Sequence, residues 1–433
     1  MSIPTRRRPE ASVATIEGQD IQAIQKRIYV GLFSTQGLFT AATIVAFTLT
    51  PVIAVALSGS ESAAGLPSTL TLVGRAALAY PIGWLMDHVG RRFGLSLGYF
   101  LGILGAVISF WGVVTGSFIA FLAGAFTLGA MRAAAEQGRF VAAEVYPAGQ
   151  RANIIGTVVF AGTIGAVGAP LLVSPAGAWA TSIGLPEYAG PFLLAGLFLL
   201  VALFVALLTL RPDPLQLGRT IAAQEPDAAE NALIPARPLA AIFASSAVRL
   251  AVLAMLIGQL VMTLLMVITP VHMNHQGQTT QAISWVIMAH TLGMFGLSSV
   301  TGRIVHRFGR RPMIAAGAIV LVAACVLAPV ANSVPMLALA LFLLGLGWNF
   351  CYVAGSALLS DSVGVNERGR TQGVSEVVVA LASGTGSLST GAIFAGGGLL
   401  AVGALGLALV LFLVATLVIV SRPGPATIAG GTD

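Results

Sequence analysis

Two pairs of side chains have the types and the spacing needed to bind a soft metal ion. Met262 and Met266 are four residues apart in one apolar stretch, and His290 and Met294 are four apart in the next. A separation of four residues places both members of a pair on one face of a helix. Three thioethers and one imidazole form a soft, uncharged ligand set, which suits Cu(I). These four residues are therefore a candidate metal site.

The helices must bring the two pairs to a similar depth for such a site to form. If the first stretch ends near Val271 and the second begins near Gln281, Met262 and His290 both lie roughly 14 Å from those ends, at about 1.5 Å per residue. Each pair alone also fits a simpler role, because methionine fills irregular cores and histidine bonds neighbouring helices. More soft ligands are expected at the outer mouth of the site: His272, Met273 and His275.

The elements that carry these pairs are apolar and long enough to cross a membrane. The chain has 433 residues, of which 9% are charged, and a mean hydropathy of +0.92. Soluble domains carry about 25% charged residues, and a helix needs about 20 apolar residues to cross a bilayer. The sequence therefore predicts an all-α integral membrane protein with twelve transmembrane helices, near 29–57, 64–86, 93–116, 118–143, 152–173, 191–210, 250–272, 281–303, 312–331, 334–359, 371–395 and 398–420.

The basic residues predict the orientation of these helices. Arginine and lysine fall on one side of the twelve-span topology, and the opposite loops 58–63, 174–190 and 272–281 contain neither. This positive-inside pattern predicts a multi-pass protein of the cell membrane with both termini cytoplasmic. Contact with anionic lipid in the bilayer accounts for the net charge of +6, so no nucleic-acid partner is expected. The predicted organisation is a tail 1–28, a six-helix bundle 29–210, a linker 211–246, a second six-helix bundle 247–421 and a tail 422–433.

Two elements of the first half recur in the second half. The segment from Gly83 to Arg92 recurs, altered, from Gly302 to Arg311, and each copy turns on a glycine before two arginines. The other element is an acid followed seven residues later by an arginine, as in Glu144 with Arg151 and Asp361 with Arg368. The two copies of each element lie about half the chain apart. Such repeats in so apolar a chain predict two pseudo-symmetric helical bundles.

The first repeated segment closely resembles the loop between the second and third helices of the major facilitator superfamily. The length, the twelve spans and the central linker extend the resemblance over nearly the whole chain. The resemblance implies secondary active transport by alternating access, and therefore a transporter rather than an enzyme. It also implies a set of gating residues: Gly83, Asp87, Gly90, Arg91, Arg92, Glu144, Arg151, Gly302, His306, Arg310, Arg311, Asp361 and Arg368. At the position of Asp87 the second copy has His306. This difference predicts that the charge pairs that hold the second loop in one state are weaker or depend on pH.

Two further groups of residues carry expectations for individual helices. Gly156, Gly165, Ala169 and Pro170 approximate the fifth-helix motif of the superfamily, and they predict a packing and bending element. Charges inside the spans are scarce, and they are expected to face a central cavity or each other. Arg132, Glu136 and Arg139 predict a local ion-pair cluster, whereas Arg75 fits either an anionic substrate or a partner on another helix.

The metal candidates also resemble a branch of the same superfamily. The Met-x3-Met and His-x3-Met spacings of Met262, Met266, His290 and Met294 look like the paired motifs of certain bacterial copper importers. This resemblance implies copper import, with copper as substrate and no cofactor, by a protein expected to be monomeric. Some riboflavin transporters share the local sequence, so the alternatives are a proton-coupled transporter of a small organic solute and a non-transporting sensor or assembly factor.

Overall fold

The chain folds into helices throughout the part that the structure describes. A computed structural model describes residues 21–222, 237–363 and 365–421, and these residues contain no strand. Most of the predicted tail 1–28, the centre of the linker 211–246 and the tail 422–433 lie outside the described residues, as do the side chains of Arg151 and Arg368. The chain divides into two compact units, Met1–Ile53 with Leu70–Glu230 and Ala54–Thr69 with Asn231–Asp433.

The first unit consists of antiparallel helices that follow the first six predicted stretches. Their bounds are α1 (Ile21–Thr48), α2 (Thr50–Ser58), α3 (Leu66–His88), α4 (Arg91–Thr115), α5 (Phe118–Ala135), α6 (Gly138–Glu144), α7 (Ala148–Gly168), α8 (Pro170–Ser182), α9 (Gly190–Thr209) and α10 (Pro214–Ala222). The end of α2 and the beginning of α3 belong to the second unit, which includes Ala54–Thr69. The amphipathic α10 follows the sixth span and buries Leu217.

The second unit follows the other six predicted stretches. Its helices are α11 (Leu239–Ala244), α12 (Ser246–His275), α13 (Thr280–Thr291), α14 (Ser298–Phe308), α15 (Arg310–Val330), α16 (Val334–Asp361) and α17 (Val365–Ser421). A π-helical turn, Leu292–Gly296, joins α13 to α14. The backbone leaves the helical region inside α17 at Gly397 and Gly398, so α17 contains two helices that meet at these glycines.

The predicted fold class is confirmed. Eight helices are long and apolar enough to cross a membrane, and two bent pairs raise the number of spans in the described residues to ten. Two further spans complete the twelve, because α17 holds a pair of helices and α3 occupies the second predicted stretch. The fifth span bends by 49° between Gly168 and Pro170, as its motif predicted. The eighth span bends by 46° near the π-helical turn, which the sequence did not predict.

Glycine is required at the turn of each repeated loop. Gly90 has a φ of 129° and Gly309 has a φ of 93°, and side chains with a Cβ atom rarely adopt such angles. Gly83 stands in a signature loop whose first glycine is expected to allow close helix approach, and Gly302 stands at the corresponding position of the second copy. A Cβ atom at either position would meet no described atom within 4 Å, so no packing contact explains these two glycines.

Candidate functional site

A network of charged groups joins three helices at the arginine-rich end of the first unit. The Arg91 guanidinium donates to Glu144 through two hydrogen bonds, Nε to Oε2 at 2.9 Å and Nη2 to Oε1 at 2.8 Å. Its Nη1 donates to Asp87 Oδ1 at 2.7 Å. Glu144 lies at the end of α6, so Arg91 ties the start of α4 to two other helices. The structure thus brings together three of the predicted gating residues.

Asp213, which the sequence analysis did not identify, supports the same network. Its carboxylate accepts hydrogen bonds from the backbone N–H of Arg91 at 3.0 Å and from that of Arg92 at 3.1 Å. These N–H groups belong to the first turn of α4 and have no partner within the helix. A negative charge at a helix N-terminus is stabilising. Arg92 in turn donates from Nη2 to the Leu207 carbonyl at 2.9 Å.

The second unit has a corresponding ion pair between two helices. Arg310 Nε lies 2.8 Å from Asp361 Oδ2, which joins the start of α15 to the end of α16. These positions correspond to Arg91 and Glu144 in the first unit. His306 is exposed and belongs to the last turn of α14, where the first unit has Asp87. Among the described residues, one ion pair therefore joins the helices at the second loop, and the weaker or pH-tuned gate stays a prediction.

The scarce charges within the spans of the first unit meet at one point. Arg75 Nη2 lies 2.7 Å from Glu136 Oε2, and Arg132 donates to Glu136 Oε1 from Nε at 3.2 Å and from Nη2 at 3.1 Å. The predicted ion pair of Arg132 and Glu136 is present, and Arg75 joins it from α3. Arg139 is apart from this cluster, with its guanidinium carbon 4.8 Å from the centre of the Phe140 ring.

The four predicted metal ligands lie on two spans of the second unit. His290 is buried, and its Nδ1 donates to the Leu341 carbonyl of α16 at 3.0 Å. A carbonyl can only accept, so the neutral ring carries its proton on Nδ1 and a lone pair on Nε2. Nε2 is buried without a hydrogen-bond partner in the described part of the chain. Met262, Met266 and Met294 are partly buried, and no hydrogen bond joins the imidazole to the first two in the described ranges.

The predicted outer-mouth residues lie at the end of α12. Met273 is buried, whereas the rings of His272 and His275 each have their centre 6.1 Å from that of Phe394 in α17. His275 Nδ1 also lies 3.6 Å from Glu61 Oε1. The described residues contain no group of three or more histidine, cysteine, aspartate or glutamate side chains that could hold a metal ion.

A connected group of amide, hydroxyl and aromatic side chains lies near the middle of the second unit's helices. We call Gln259, Thr263, Trp348, Tyr352 and Ser383 the polar–aromatic cluster. The Trp348 indole donates to Gln259 Oε1 at 2.9 Å, and Gln259 Nε2 donates to Thr263 and Ser383 at 3.3 Å. Thr263 is buried, whereas the other four side chains are only partly buried, so this group is not a closed core.

One end of the polar–aromatic cluster holds a carboxylate. Trp348 and Tyr352 stack with ring centres 4.9 Å apart and an angle of 19° between planes. The Tyr352 hydroxyl donates to Glu376 Oε1 at 2.6 Å, and Glu376 is exposed. Phe295 packs on Trp348 in an edge-on arrangement, with ring centres 6.1 Å apart. Such an arrangement offers a flat aromatic surface, amide and hydroxyl hydrogen-bonding groups and one ionisable group.

Sequence reasoning missed the polar–aromatic cluster, although it left a signal. Trp348 and Tyr352 are four residues apart in the apolar α16, and Gln259 is a single amide in the apolar α12. Amphipathic rings and amides at such depth need partners, and spans that carry them tend to face each other. The spacing of Met262 and Met266 predicted a metal site at neighbouring positions instead.

Twelve apolar helices in two repeated bundles, with acid–arginine pairs at corresponding loops, define a multi-pass membrane transport protein. The sequence profile of the Major Facilitator Superfamily matches residues 32–279 and 250–433. The chain belongs to this superfamily. Its members are secondary transporters, so the protein is a transporter and not an enzyme.

Relatives and solved structures agree with this assignment. The chain is 36% identical over 389 residues to the uncharacterized MFS-type transporter YdeG of Bacillus subtilis, covering 89% of both chains. It is 27% identical over 379 residues to the riboflavin transporter RfnT of Brucella anthropi, covering 87% of this chain and 90% of that one. The fold is similar to a bacterial homologue of the human lysosomal transporter Spinster in an inward-facing, occupied conformation, at 18% identity and a TM-score of 0.69 over 92% of this chain and 98% of that chain. A D-xylose–proton symporter gives 18% identity and a TM-score of 0.68 over 89% and 96%.

Proposed function

We propose that this transporter moves a small, planar organic solute across the bacterial cell membrane, and that the polar–aromatic cluster binds the solute's ring. The stacked, partly covered rings of Trp348 and Tyr352 are the observation that carries this proposal. Ligand sites combine aromatic surface with a few well-placed polar groups. Similarity to a riboflavin transporter supports the same substrate class, because riboflavin contains a flat ring system with amide-like edges.

The hydrogen bonds of the cluster explain how such a ring could be selected. Gln259 already holds the Trp348 indole, Thr263 and Ser383, so its amide has a fixed orientation. A solute that stacks on Trp348 would present its edge to these amide and hydroxyl groups. A site built to bond polar edges rejects analogues that lack them, because its own groups would lose their partners.

We infer that the transport is coupled to protons through Glu376. Glu136, the acid within the spans of the first unit, is already paired with two guanidinium groups. Glu376 is exposed and accepts one hydrogen bond, from Tyr352. Protonation would make Glu376 a neutral and weaker acceptor, so the Tyr352 hydroxyl would donate more readily to the solute. The charge state of Glu376 would thereby set the hydrogen-bonding capacity of the cluster.

We also propose the orientation and assembly of the protein. The arginine-rich loops follow the positive-inside pattern, which supports a cytoplasmic location for these loops and for both termini. Each unit forms its own core of apolar helices, which supports function as a monomer in the bilayer.

Flavin binding tests the proposed site, because flavin fluorescence is quenched when the ring stacks on an aromatic side chain. Purified protein should quench riboflavin fluorescence saturably, and Trp348→Ala should weaken binding about tenfold, the loss expected for one aromatic contact. Trp348→Phe should bind nearly as well as wild type. Trp285→Ala is the matched control, since Trp285 is 53% exposed in the same unit and is not part of the cluster. Equal binding by wild type and Trp348→Ala would reject the proposed site.

Transport itself requires a second measurement. Proteoliposomes loaded with riboflavin should exchange it for labelled riboflavin, and Glu376→Gln should preserve this exchange while losing uptake driven by a proton gradient. A proton carrier is needed for net coupled flux but not for exchange. Loss of both activities in Glu376→Gln, with normal folding, would argue against a coupling role. Undiminished gradient-driven uptake would exclude that role.

Copper import is a second candidate function, supported by the buried Nε2 of His290. A histidine that binds a metal commonly donates its other ring N–H to a carbonyl, as His290 does to Leu341. Converting Met262 and Met266 to leucine should abolish copper uptake with little effect on expression, because leucine preserves volume and hydrophobicity. Met288→Leu serves as the control in the same unit. Copper uptake that persists in the double variant would reject this candidate.

A further inference from the structure

We propose that Arg75 and Arg132 form a binding site for an anionic group, a carboxylate or a phosphate, on the transported solute. The inference rests on the proposed function in one respect, because it assumes that the protein carries an organic solute. It adds the charge of that solute, and it is derived from the first unit alone.

The charges of this cluster do not balance. Two guanidinium groups contact the single carboxylate of Glu136, one at each oxygen: Arg75 at Oε2 and Arg132 at Oε1. Arginine keeps its charge under all conditions found in proteins. The cluster therefore carries one positive charge that no acid in the described residues neutralises. Charge within a membrane span is costly unless it is paired. The excess positive charge therefore favours binding of an anion from outside the protein.

Arg75 also has hydrogen-bonding capacity to spare. It contacts Glu136 through Nη2, and its other nitrogens have no hydrogen bond to any residue in the described ranges. A guanidinium presents five N–H donors in a planar fork, which suits carboxylate and phosphate oxygens. The Arg75 side chain is 36% exposed, so an anion can reach it without unfolding a helix.

The depth of the cluster indicates a solute rather than a lipid headgroup as the source of the anion. Arg75 lies twelve residues before Asp87 on the same helix, which corresponds to roughly 18 Å at about 1.5 Å per residue. Asp87 belongs to the loop network at the end of the unit, near the level of lipid headgroups. Arg75 also lies nine residues after Leu66, where α3 begins, which corresponds to roughly 14 Å. A headgroup of either leaflet would therefore need to move deep into the hydrocarbon layer to meet Arg75.

The backbone holds this cluster firmly in place. A Cβ atom on Gly129 would lie 2.0 Å from the Thr71 carbonyl oxygen, and one on Gly74 would lie 2.1 Å from that of Phe126. Helices α3 and α5 therefore touch through their backbones directly beside Arg75. Close contact of this kind fixes the guanidinium relative to Glu136, and a preorganised site binds its ligand with less loss of entropy.

Sulfate can serve as a simple probe of the anion site. The purified protein would be placed in nanodiscs of zwitterionic lipid, and its melting temperature measured in sulfate and in gluconate at equal ionic strength. Sulfate should raise the melting temperature of wild type and have little effect on Arg75→Gln. Arg139→Gln, which removes an exposed charge outside the cluster, should behave as wild type. Glu136→Gln should respond more strongly, because it frees both arginines.

A comparison of variants separates this proposal from the proposed function. Trp348→Ala should keep the sulfate response of wild type, and Arg75→Gln should keep the riboflavin binding of wild type, so the two proposals can fail separately. The anion site is disproved if sulfate stabilises wild type and Arg75→Gln equally. It is also disproved if Arg139→Gln loses the sulfate response together with Arg75→Gln.

Discussion

Replacement of Gly129 by alanine should separate two helices of the first unit. The new Cβ would lie 2.0 Å from the Thr71 oxygen and 2.8 Å from the Thr71 carbonyl carbon, and both atoms are backbone. Ordinary contact begins near 3.4 Å, so α3 and α5 must move apart by about 1.4 Å at this point, because no side chain can rotate away. Arg75 is one helical turn from Thr71, and its 2.7 Å ion pair with Glu136 must lengthen too.

The cost can be set against a control in α3, the helix that Gly129 packs against. Overpacking of this size typically destabilises by about 2 kcal/mol, which lowers the melting temperature of a large domain by roughly 4–8 °C. Gly83→Ala on α3 places its Cβ in open space, and alanine favours helix, so its melting temperature should be unchanged or slightly higher. Scanning fluorimetry in detergent would compare the variants. If Gly129→Ala has the same melting temperature as wild type, the close backbone contact does not exist in solution.

Three further predictions concern the charged loops, each measured by solute exchange in proteoliposomes unless stated. Glu144→Gln should slow exchange roughly threefold or more relative to wild type, and Asp87→Asn should slow it less. The reason is that Glu144 makes two hydrogen bonds and is 35% exposed, whereas Asp87 makes one and is 60% exposed. His306→Asp gives the second loop the acid that the first loop has. It should slow turnover about twofold, which is the effect expected of one exposed ion pair on a helix. An unchanged rate would mean that this loop does not control access to the site. Asp213→Ala should lower the melting temperature by an amount equivalent to about 1 kcal/mol, as loss of a helix cap does, and an unaltered value would show that water replaces the carboxylate.

The helices could be predicted from the sequence because the membrane imposes a simple rule. A span must be apolar over about 20 residues and must satisfy its own backbone hydrogen bonds. The predicted stretches 371–395 and 398–420, for example, meet at the glycines where the backbone of α17 breaks. The bend of the eighth span was missed, because a π-helical turn adds one residue to a helix without any change in hydropathy.

The sites were less accessible from sequence, because they depend on which helices are neighbours. Spacing within a helix correctly paired Arg132 with Glu136, which are four residues apart. It could not show that Arg75 joins them from another helix, or that His290 bonds to the carbonyl of Leu341 on α16. Asp213 was assigned to a linker by composition, and its role follows only from the position of its carboxylate at the start of α4.

The break at Gly397 and Gly398 has a consequence for the biogenesis of the protein. An 18-residue window within Thr371–Val420 has a mean hydropathy of 2.8, and no charged residue separates the two helices. A translocation machinery that reads hydropathy along the chain would meet one continuous apolar segment, too long to cross the bilayer once. We expect these last two spans to enter the membrane together as a preformed hairpin. The turn between them then offers neither a protease cleavage site nor a position where a tag could be tolerated.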